Sequence, residues 1–374
     1  MSPASLTQKR ARLLAALRAQ AASPGRAKGS PAITDLAVHA VREPVSRREY
    51  VVAVVSTDAG ITGVGEAAAV PDAASVAAAL LEQRKSLIGR DATAVEAIQP
   101  TAGRAAINMA LLDITGKLAK APVYEVLGGP TRFKARAATA IEGESIDAAR
   151  AAGFRVLFVP LAPPAFRNQG QAFVRGTRRR LDRLRAAGGE EIDFVLACNG
   201  ALTPGDAQML AHEFESFHLL WLEEPCSPLN LSAVARIAGE SVTPIGLGRR
   251  VTRNGQFQDL LRLDAVDILR PDMGLLGITQ IRKAAALAET YYVAVAPFHR
   301  GGPVATAACL QLAASIPNFF LQEVPFPAAD ADRRMRAELV SPAIESPRDG
   351  FLPLPTGPGL GITLNMDAVR KYRV

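Results

Sequence analysis

The chain has 374 residues, 49% of them hydrophobic and 21% charged, the balance of a soluble globular protein with room for two buried cores. Its formal net charge of +7 comes from dispersed basic residues with no nucleic-acid-binding motif beside them, and no apolar run reaches the roughly 20 residues of a membrane span, so neither partner is expected. Three scattered cysteines, Cys198, Cys226 and Cys309, exclude a disulfide framework and a zinc site and suit a reducing, cytoplasmic compartment.

The first 34 residues hold six Lys or Arg and no acid. Leu6 to Ala21 can form an amphipathic helix, but Arg18 interrupts its apolar stretch, so residues 1–30 read as a basic arm, mobile or packed, rather than a leader. Strand patterns at Ala32–Ala40, Tyr50–Ser56 and Ile61–Ala67, with Asp58-Ala59-Gly60 as a turn, predict an antiparallel meander. Helical patterns follow at Ala74–Leu87 and Ala105–Lys120, the second stopped by Pro122, giving an α+β domain over residues 31–130.

From about Ala135 short apolar strands alternate with helices. The strands are predicted at Ala135–Ala140, Arg155–Val159, Phe194–Cys198, Leu219–Glu223, Pro244–Leu247, Ala265–Leu269, Val293–Pro297 and Phe319–Glu323. Eight such units imply an α/β fold, a modified βα barrel over residues 131–330 capped by the α+β domain, with its working face at the carboxyl ends of the strands. Residues 331–374 are rich in turns and are expected to return to the capping domain. Six arginines, Arg175, Arg178, Arg179, Arg180, Arg183 and Arg185, share one predicted helix and read as a solvated face.

Three strand ends spaced 26 residues apart carry Ala197, Glu223 and Arg249. A divalent ion held by oxygen needs several converging carboxylates. Here a methyl, a carboxylate and a guanidinium converge, and the guanidinium stays protonated. Glu224, before Pro225, reads as a helix cap, and Cys198, with no histidine near it in the pattern, as a small buried apolar residue.

Several stretches, in this order and spacing, resemble the enolase superfamily in its mandelate racemase and muconate lactonizing enzyme branch, close to the acid-sugar dehydratases. They are Gly60-Ile-Thr-Gly-Val-Gly-Glu66, Ala110-Leu-Leu-Asp-Ile-Thr-Gly-Lys117, Leu127-Gly-Gly-Pro130, Trp221-Leu-Glu-Glu-Pro225, Arg270-Pro-Asp272 and Pro358-Gly-Leu-Gly361. The resemblance implies a capped barrel, a magnesium ion, proton abstraction beside a substrate carboxylate, and a homo-oligomer.

Carried over residue by residue, that chemistry loses its parts. The paired lysine bases fall at Phe158 and Pro160, and the histidine base at Phe298, beside His299, with its aspartate partner kept as Asp272. The metal carboxylates fall at Ala197, Glu223 and Arg249, leaving Glu223 as a single vestigial ligand, so no cofactor is expected although the family uses magnesium. Asp272, Glu323 and His299 are the remaining catalytic candidates; Asn199, Arg249 and Arg270 are the candidates for holding a small carboxylate or acid-sugar ligand. Strand phase further predicts that Arg249 bonds Glu223 directly and fills the space left at Ala197. The loop over the mouth, around Pro44 to Glu49, is short.

Three functional readings follow. The leading one is a family member that has lost metal-dependent proton abstraction and acts as a binding or non-catalytic protein. The second is a metal-independent lyase or isomerase using Glu223, Arg249 and Asp272, with Arg249 stabilising an oxyanion. The third is a diverged dehydratase or racemase with displaced ligands, for instance Glu224 swinging inward.

Overall fold

Strands β1 (Ile33–Arg42), β2 (Glu49–Thr57) and β3 (Thr62–Ala68) form an antiparallel sheet in the order β1-β2-β3. In this computed structural model residues 3–21, 29–98, 103–161, 170–227 and 230–374 are described. The helix Arg104–Ala119 packs on β3 at close range, since a Cβ on Gly65 would lie 1.9 Å from the carbonyl oxygen of Ala106. The predicted helix Ala74–Leu87 divides into Ala73–Glu82 and a single turn, Arg84–Leu87. The N-terminal helix spans Pro3–Ala21, and its residues 8–17 are exposed, so that stretch is not packed on the domain; residues 22–28 of the predicted arm lie outside the described residues.

Eight parallel strands follow: β4 (Lys134–Ala140), β5 (Val156–Pro160), β6 (Asp193–Ala197), β7 (Trp221–Glu223), β8 (Ile245–Leu247), β9 (Ile268–Leu269), β10 (Ala294–Val295) and β11 (Gln322–Glu323). They pair in sequence from β4 to β10, and β11 returns to β4. Hydrogen bonds from Val295 N to Asn318 O (2.8 Å) and from Phe320 N to Val295 O (2.8 Å) link the last two units and close the ring. Alternation along each strand divides its side chains between interior and exterior. Ala138, Val156, Phe158, Val195, Ala197, Trp221, Ile268, Ala296 and Leu321 pack together inside, while Leu157, Phe194, Leu196, Leu222, Ile245 and Leu247 join the outer core under the helices.

The C-terminal residues do not all return to the capping domain. Phe351–Pro353 pairs antiparallel with β4 of the barrel. Beyond it, Leu360 N donates to Asp113 (2.8 Å) and Arg42 N to Tyr372 O (3.0 Å), tying the last turns to the cap. The arginine-bearing helix Gln171–Gly188 is locally paired, with Arg178 on Asp182 (3.0 Å), Arg180 on Glu144 (2.9 Å) and Arg185 on the carbonyl of Ile192 (2.7 Å).

Candidate functional site

The floor of the barrel mouth is a buried ionic cluster. Trp221 and Glu223 are two residues apart on β7 and therefore share its inner face, which lets Trp221 Nε1 donate to Glu223 Oε2 at 2.6 Å. Arg270, just past β9, donates through Nε to both oxygens of Glu223 (3.0 Å each), through Nη1 to Ala296 O (2.7 Å) and through Nη2 to Glu323. Glu223 and Arg270 are both 0% exposed. The guanidinium also lies 4.9 Å from the ring of Phe158 and 5.4 Å from that of Trp221. Burial pushes the Glu223 carboxyl up, and Arg270 then Arg249 oppose it. Burial likewise works against the charge of Arg270, but Glu223 and Glu323 outweigh it and hold the group above its usual range.

Two expectations are corrected here. Arg249 meets Glu223 as an ion pair, Nε 3.6 Å from Oε1, but makes no hydrogen bond to it, and Arg270 takes that place. Arg270 is not a ligand-facing residue, because it is fully buried and its donors are spent on the floor. The reason lies on the strand between them. The inward position of β8 opposite Glu223 is Gly246, where a Cβ would stand 2.3 Å from the Trp221 ring and 2.9 Å from Glu223 Oε2. With no side chain there, the guanidinium from β9 crosses β8 and reaches the carboxylate on β7.

Arg249 instead lies against Phe298, its guanidinium 3.8 Å from the ring centroid, with Nη2 3.9 Å from Glu323 Oε1. Arg300 approaches the same ring at 5.7 Å. Neither side chain makes a hydrogen bond among the described residues, and Arg249 Nε is buried without one. Burial, then the charge of Arg249, lowers the pKa of Arg300. Both line a cavity of about 540 Å³ between cap and barrel, bounded also by Arg47 and Arg48 of the loop after β1, Thr139 and Glu323.

The other candidates are scattered. Glu323 stays at the mouth, 7% exposed, bonded by Arg270. Asp272 is a helix cap: its Oδ1 accepts from Gly274 N (2.8 Å) at the start of Met273–Glu289, and it does not border the cavity. Its pKa is pushed up to about 6, by burial, against the Gly274 amide and the charges of Arg300 and Arg249. His299 borders the cavity but is 2% exposed, with Nε2 3.1 Å from Thr306 Oγ1; burial, then Arg336 and Arg48, hold it well below the usual histidine range. It is a buried neutral ring rather than a base at the mouth. Asn199 is exposed, lies outside the cavity lining, and takes a left-handed conformation with φ 55°. Among the described residues Glu224 caps no helix, and it does not swing inward: its Oε1 accepts from Gly248 N and Arg249 N (2.9 Å each), which fixes the turn that presents Arg249. Cys198 is buried and burial raises its thiol pKa, as an inert core residue requires.

Sequence reasoning missed Arg300, Arg47, Arg48 and the role of Trp221. The spacing Trp221-Leu222-Glu223 carried a signal for Trp221, since residues two apart on a strand share a face. Nothing local marked the arginines, which the tertiary fold brings together.

A family model described as the mandelate racemase / muconate lactonizing enzyme N-terminal domain matches residues 30–128, and one described as enolase C-terminal domain-like matches residues 143–368. The chain belongs to the enolase superfamily, in its mandelate racemase and muconate lactonizing enzyme branch. Within this superfamily the chain is similar to a protein named D-galactonate dehydratase from Ralstonia pickettii, with 32% identity over 83% of this chain and 87% of the relative. It is also similar to one named D-xylonate dehydratase from Haloferax volcanii, at 28% identity over 86% and 84%. A crystal structure of a mandelate racemase/muconate lactonizing enzyme from Jannaschia sp. CCS1 superimposes with a TM-score of 0.82 at 27% identity, covering 92% of this chain and 98% of that one.

Membership corrects the expectation of no cofactor: the chain belongs to a superfamily that uses magnesium, and relatives it is similar to are named D-galactonate dehydratase and D-xylonate dehydratase. At the positions that the resemblance assigns to the ion, however, the donor set does not fit a small hard cation. Glu223 is already bonded by Arg270 and Trp221, Ala197 offers a methyl, and Arg249 offers positive charge. Among the described residues no group of three or more His, Cys, Asp or Glu is placed to hold a metal ion, and no helix is long and apolar enough to cross a membrane.

Proposed function

We propose that the barrel mouth binds a small carboxylate of the acid-sugar class and does not abstract a proton from it. One observation carries this reading: Arg249 and Arg300 converge on Phe298 at the edge of a cavity of about 540 Å³, and neither makes a side-chain hydrogen bond among the described residues. Two adjacent guanidiniums repel each other and are relieved by an anion that both can fork onto. The relatives named as acting on D-galactonate and D-xylonate supply the ligand class. Against proton abstraction stand Phe158, Pro160 and Phe298 at the positions of the bases, and the fixed roles of Asp272 and His299. The metal-independent lyase reading loses support for the same reason, because Glu223 is locked under Arg270 and has no access to a ligand.

Calorimetric titration of the full chain with D-galactonate and D-xylonate, beside turnover assays with added magnesium, tests the proposal. Binding that depends on Arg249, without dehydration, is the expected result. Turnover would refute the loss of catalysis; no binding would refute the site. Assembly as a homo-oligomer remains our expectation for the protein in solution, to be read from its sedimentation.

A further inference from the structure

The mouth lies at the carboxyl ends of the barrel strands. At the opposite rim, where the strands begin, the loops carry apolar side chains that nothing among the described residues covers. Val242 (78% exposed) precedes β8, Leu263 (48%) precedes β9, Tyr291 and Tyr292 (38% and 99%) precede β10, and Phe133 (84%) precedes β4. Strands β8, β9, β10, β11 and β4 are consecutive in the closed ring, so these side chains occupy one arc of the rim. Single exposed apolar residues are ordinary, whereas a grouped set marks an interaction surface.

Tyr292 is the most exposed of them, and its backbone is held at φ 58°. The helix Met273–Glu289 ends there in a paired cap, with Tyr292 N donating to Glu289 O at 3.1 Å and Val293 N to Ala288 O at 3.0 Å. Glycine or asparagine usually fills the left-handed place in such a cap. The helix before it, Asn254–Arg262, closes with Asp264 at φ 48°, a short polar side chain that tolerates this conformation. A tyrosine bears the backbone cost, and within one copy no burial of its ring offsets it. The surrounding loops are tied together: Asn318 Nδ2 donates to Val293 O and Ala285 O (3.0 Å each), and Arg132 donates to Ile316 O (2.9 Å) and Pro317 O (3.0 Å). The arc is therefore preorganised, and covering it orders little further chain.

A cleft of about 360 Å³ adjoins this knob, lined by Arg282, Lys283, Ala286 and Glu289 of the same helix and by Pro317 of the next loop. Glu289 is the residue whose carbonyl receives the Tyr292 amide, which makes knob and cleft neighbours on one face. Under two-fold symmetry a neighbouring knob and hole each meet their counterpart, twice over. The cleft suits a tyrosine: the cations of Arg282 and Lys283 can lie against the ring, and the Glu289 carboxylate can accept from the hydroxyl. The area agrees. An aromatic side chain buries roughly 150–250 Å², so Phe133 and Tyr292 together offer on the order of 300–400 Å² of the roughly 800 Å² that each partner of a standard interface buries.

We propose that two copies of this chain associate through the amino-terminal rim of the barrel, each seating its Tyr292 in the other's cleft beside Arg282 and Lys283. The proposal rests on the expectation of a homo-oligomer and names its face. It is independent of the carboxylate reading, because the mouth lies at the other ends of the strands.

Sedimentation velocity of the full-length protein at micromolar concentration tests it, with Tyr292→Asn and Tyr292→Phe beside the parent. The parent is expected as a dimer or a multiple of one. Tyr292→Asn suits the left-handed backbone and should stay folded by circular dichroism, yet its dissociation constant for self-association should rise about tenfold or more, while Tyr292→Phe keeps the ring and the assembly. Cys198, Cys226 and Cys309 are buried, so thiols introduced at the surface report alone. On mild oxidation the single variants Tyr292→Cys and Ala286→Cys should each give little covalent dimer, and the two co-expressed should give a disulfide-linked one. A monomeric parent would overturn both the rim interface and the homo-oligomer. An oligomeric parent whose assembly survives Tyr292→Asn, or whose paired thiols fail to link, would overturn the rim interface alone.

Discussion

Arg270→Met removes the guanidinium at the centre of the floor while roughly keeping its apolar volume. In the parent this group supplies both oxygens of Glu223 (3.0 Å each), the carbonyl of Ala296 (2.7 Å) and Glu323. Without it Glu223, 0% exposed, keeps among the described residues the Trp221 indole at 2.6 Å and Arg249 at 3.6 Å. Removing one partner of a buried pair costs about 3–5 kcal/mol, and the orphaned Ala296 carbonyl adds about 1–3. We therefore expect a loss of about 4–8 kcal/mol, read as a shift of the urea midpoint in equilibrium unfolding. Adding Glu223→Leu removes the stranded carboxylate, so the double variant should recover at least about 2 kcal/mol of the loss.

The pH dependence supplies an independent check. In Arg270→Met the folded-state pKa of Glu223 rises further, because burial already raises it and its main opposing charge is gone. A raised carboxylate pKa gives stability that is present below the unfolded value and lost as pH rises through the folded one. The single variant should therefore approach the parent in acid and fall away from it towards neutrality. A loss below about 1 kcal/mol at neutral pH, or additive single and double effects, would refute the view that Arg270 neutralises this floor.

Arg249→Ala should cost no more than about 1–2 kcal/mol, since among the described residues the side chain makes no hydrogen bond and meets Glu223 only as a 3.6 Å ion pair, yet should weaken carboxylate binding by about tenfold or more in calorimetry. Glu66 is buried and its pKa is raised to about 7 by burial, opposed by the amides of Gly302 and Ala305 and by Arg336. By the same sign rule its contribution is present below the usual carboxylate range and lost as pH rises through about 7, so Glu66→Gln should flatten the thermal stability profile between about pH 4.5 and 7. Gly246→Ala should destabilise by about 1–3 kcal/mol and perturb Trp221 fluorescence, because the added methyl meets the indole at 2.3 Å.

The amino-acid sequence by itself determined the frame. Strand-helix alternation repeated eight times leaves a closed barrel as the way to bury every strand, and the two-residue period sets Phe158, Ala197 and Glu223 on one inner face before any coordinates are known. The absence of base side chains at Phe158, Pro160 and Phe298 was equally legible, because it depends on residue identity alone. The pairings were not. Arg249 and Arg270 are both long cations near strand ends, and which of them reaches Glu223 depends on the gap at Gly246, on the Glu224 carboxylate that turns Arg249 away, and on the ring of Phe298 that receives it. Asp272 became a cap and His299 a buried ring for the same kind of reason. Strand periodicity fixes the direction in which a side chain leaves the backbone, whereas the partner it meets depends on what neighbouring strands leave unfilled, and only the folded barrel decides that.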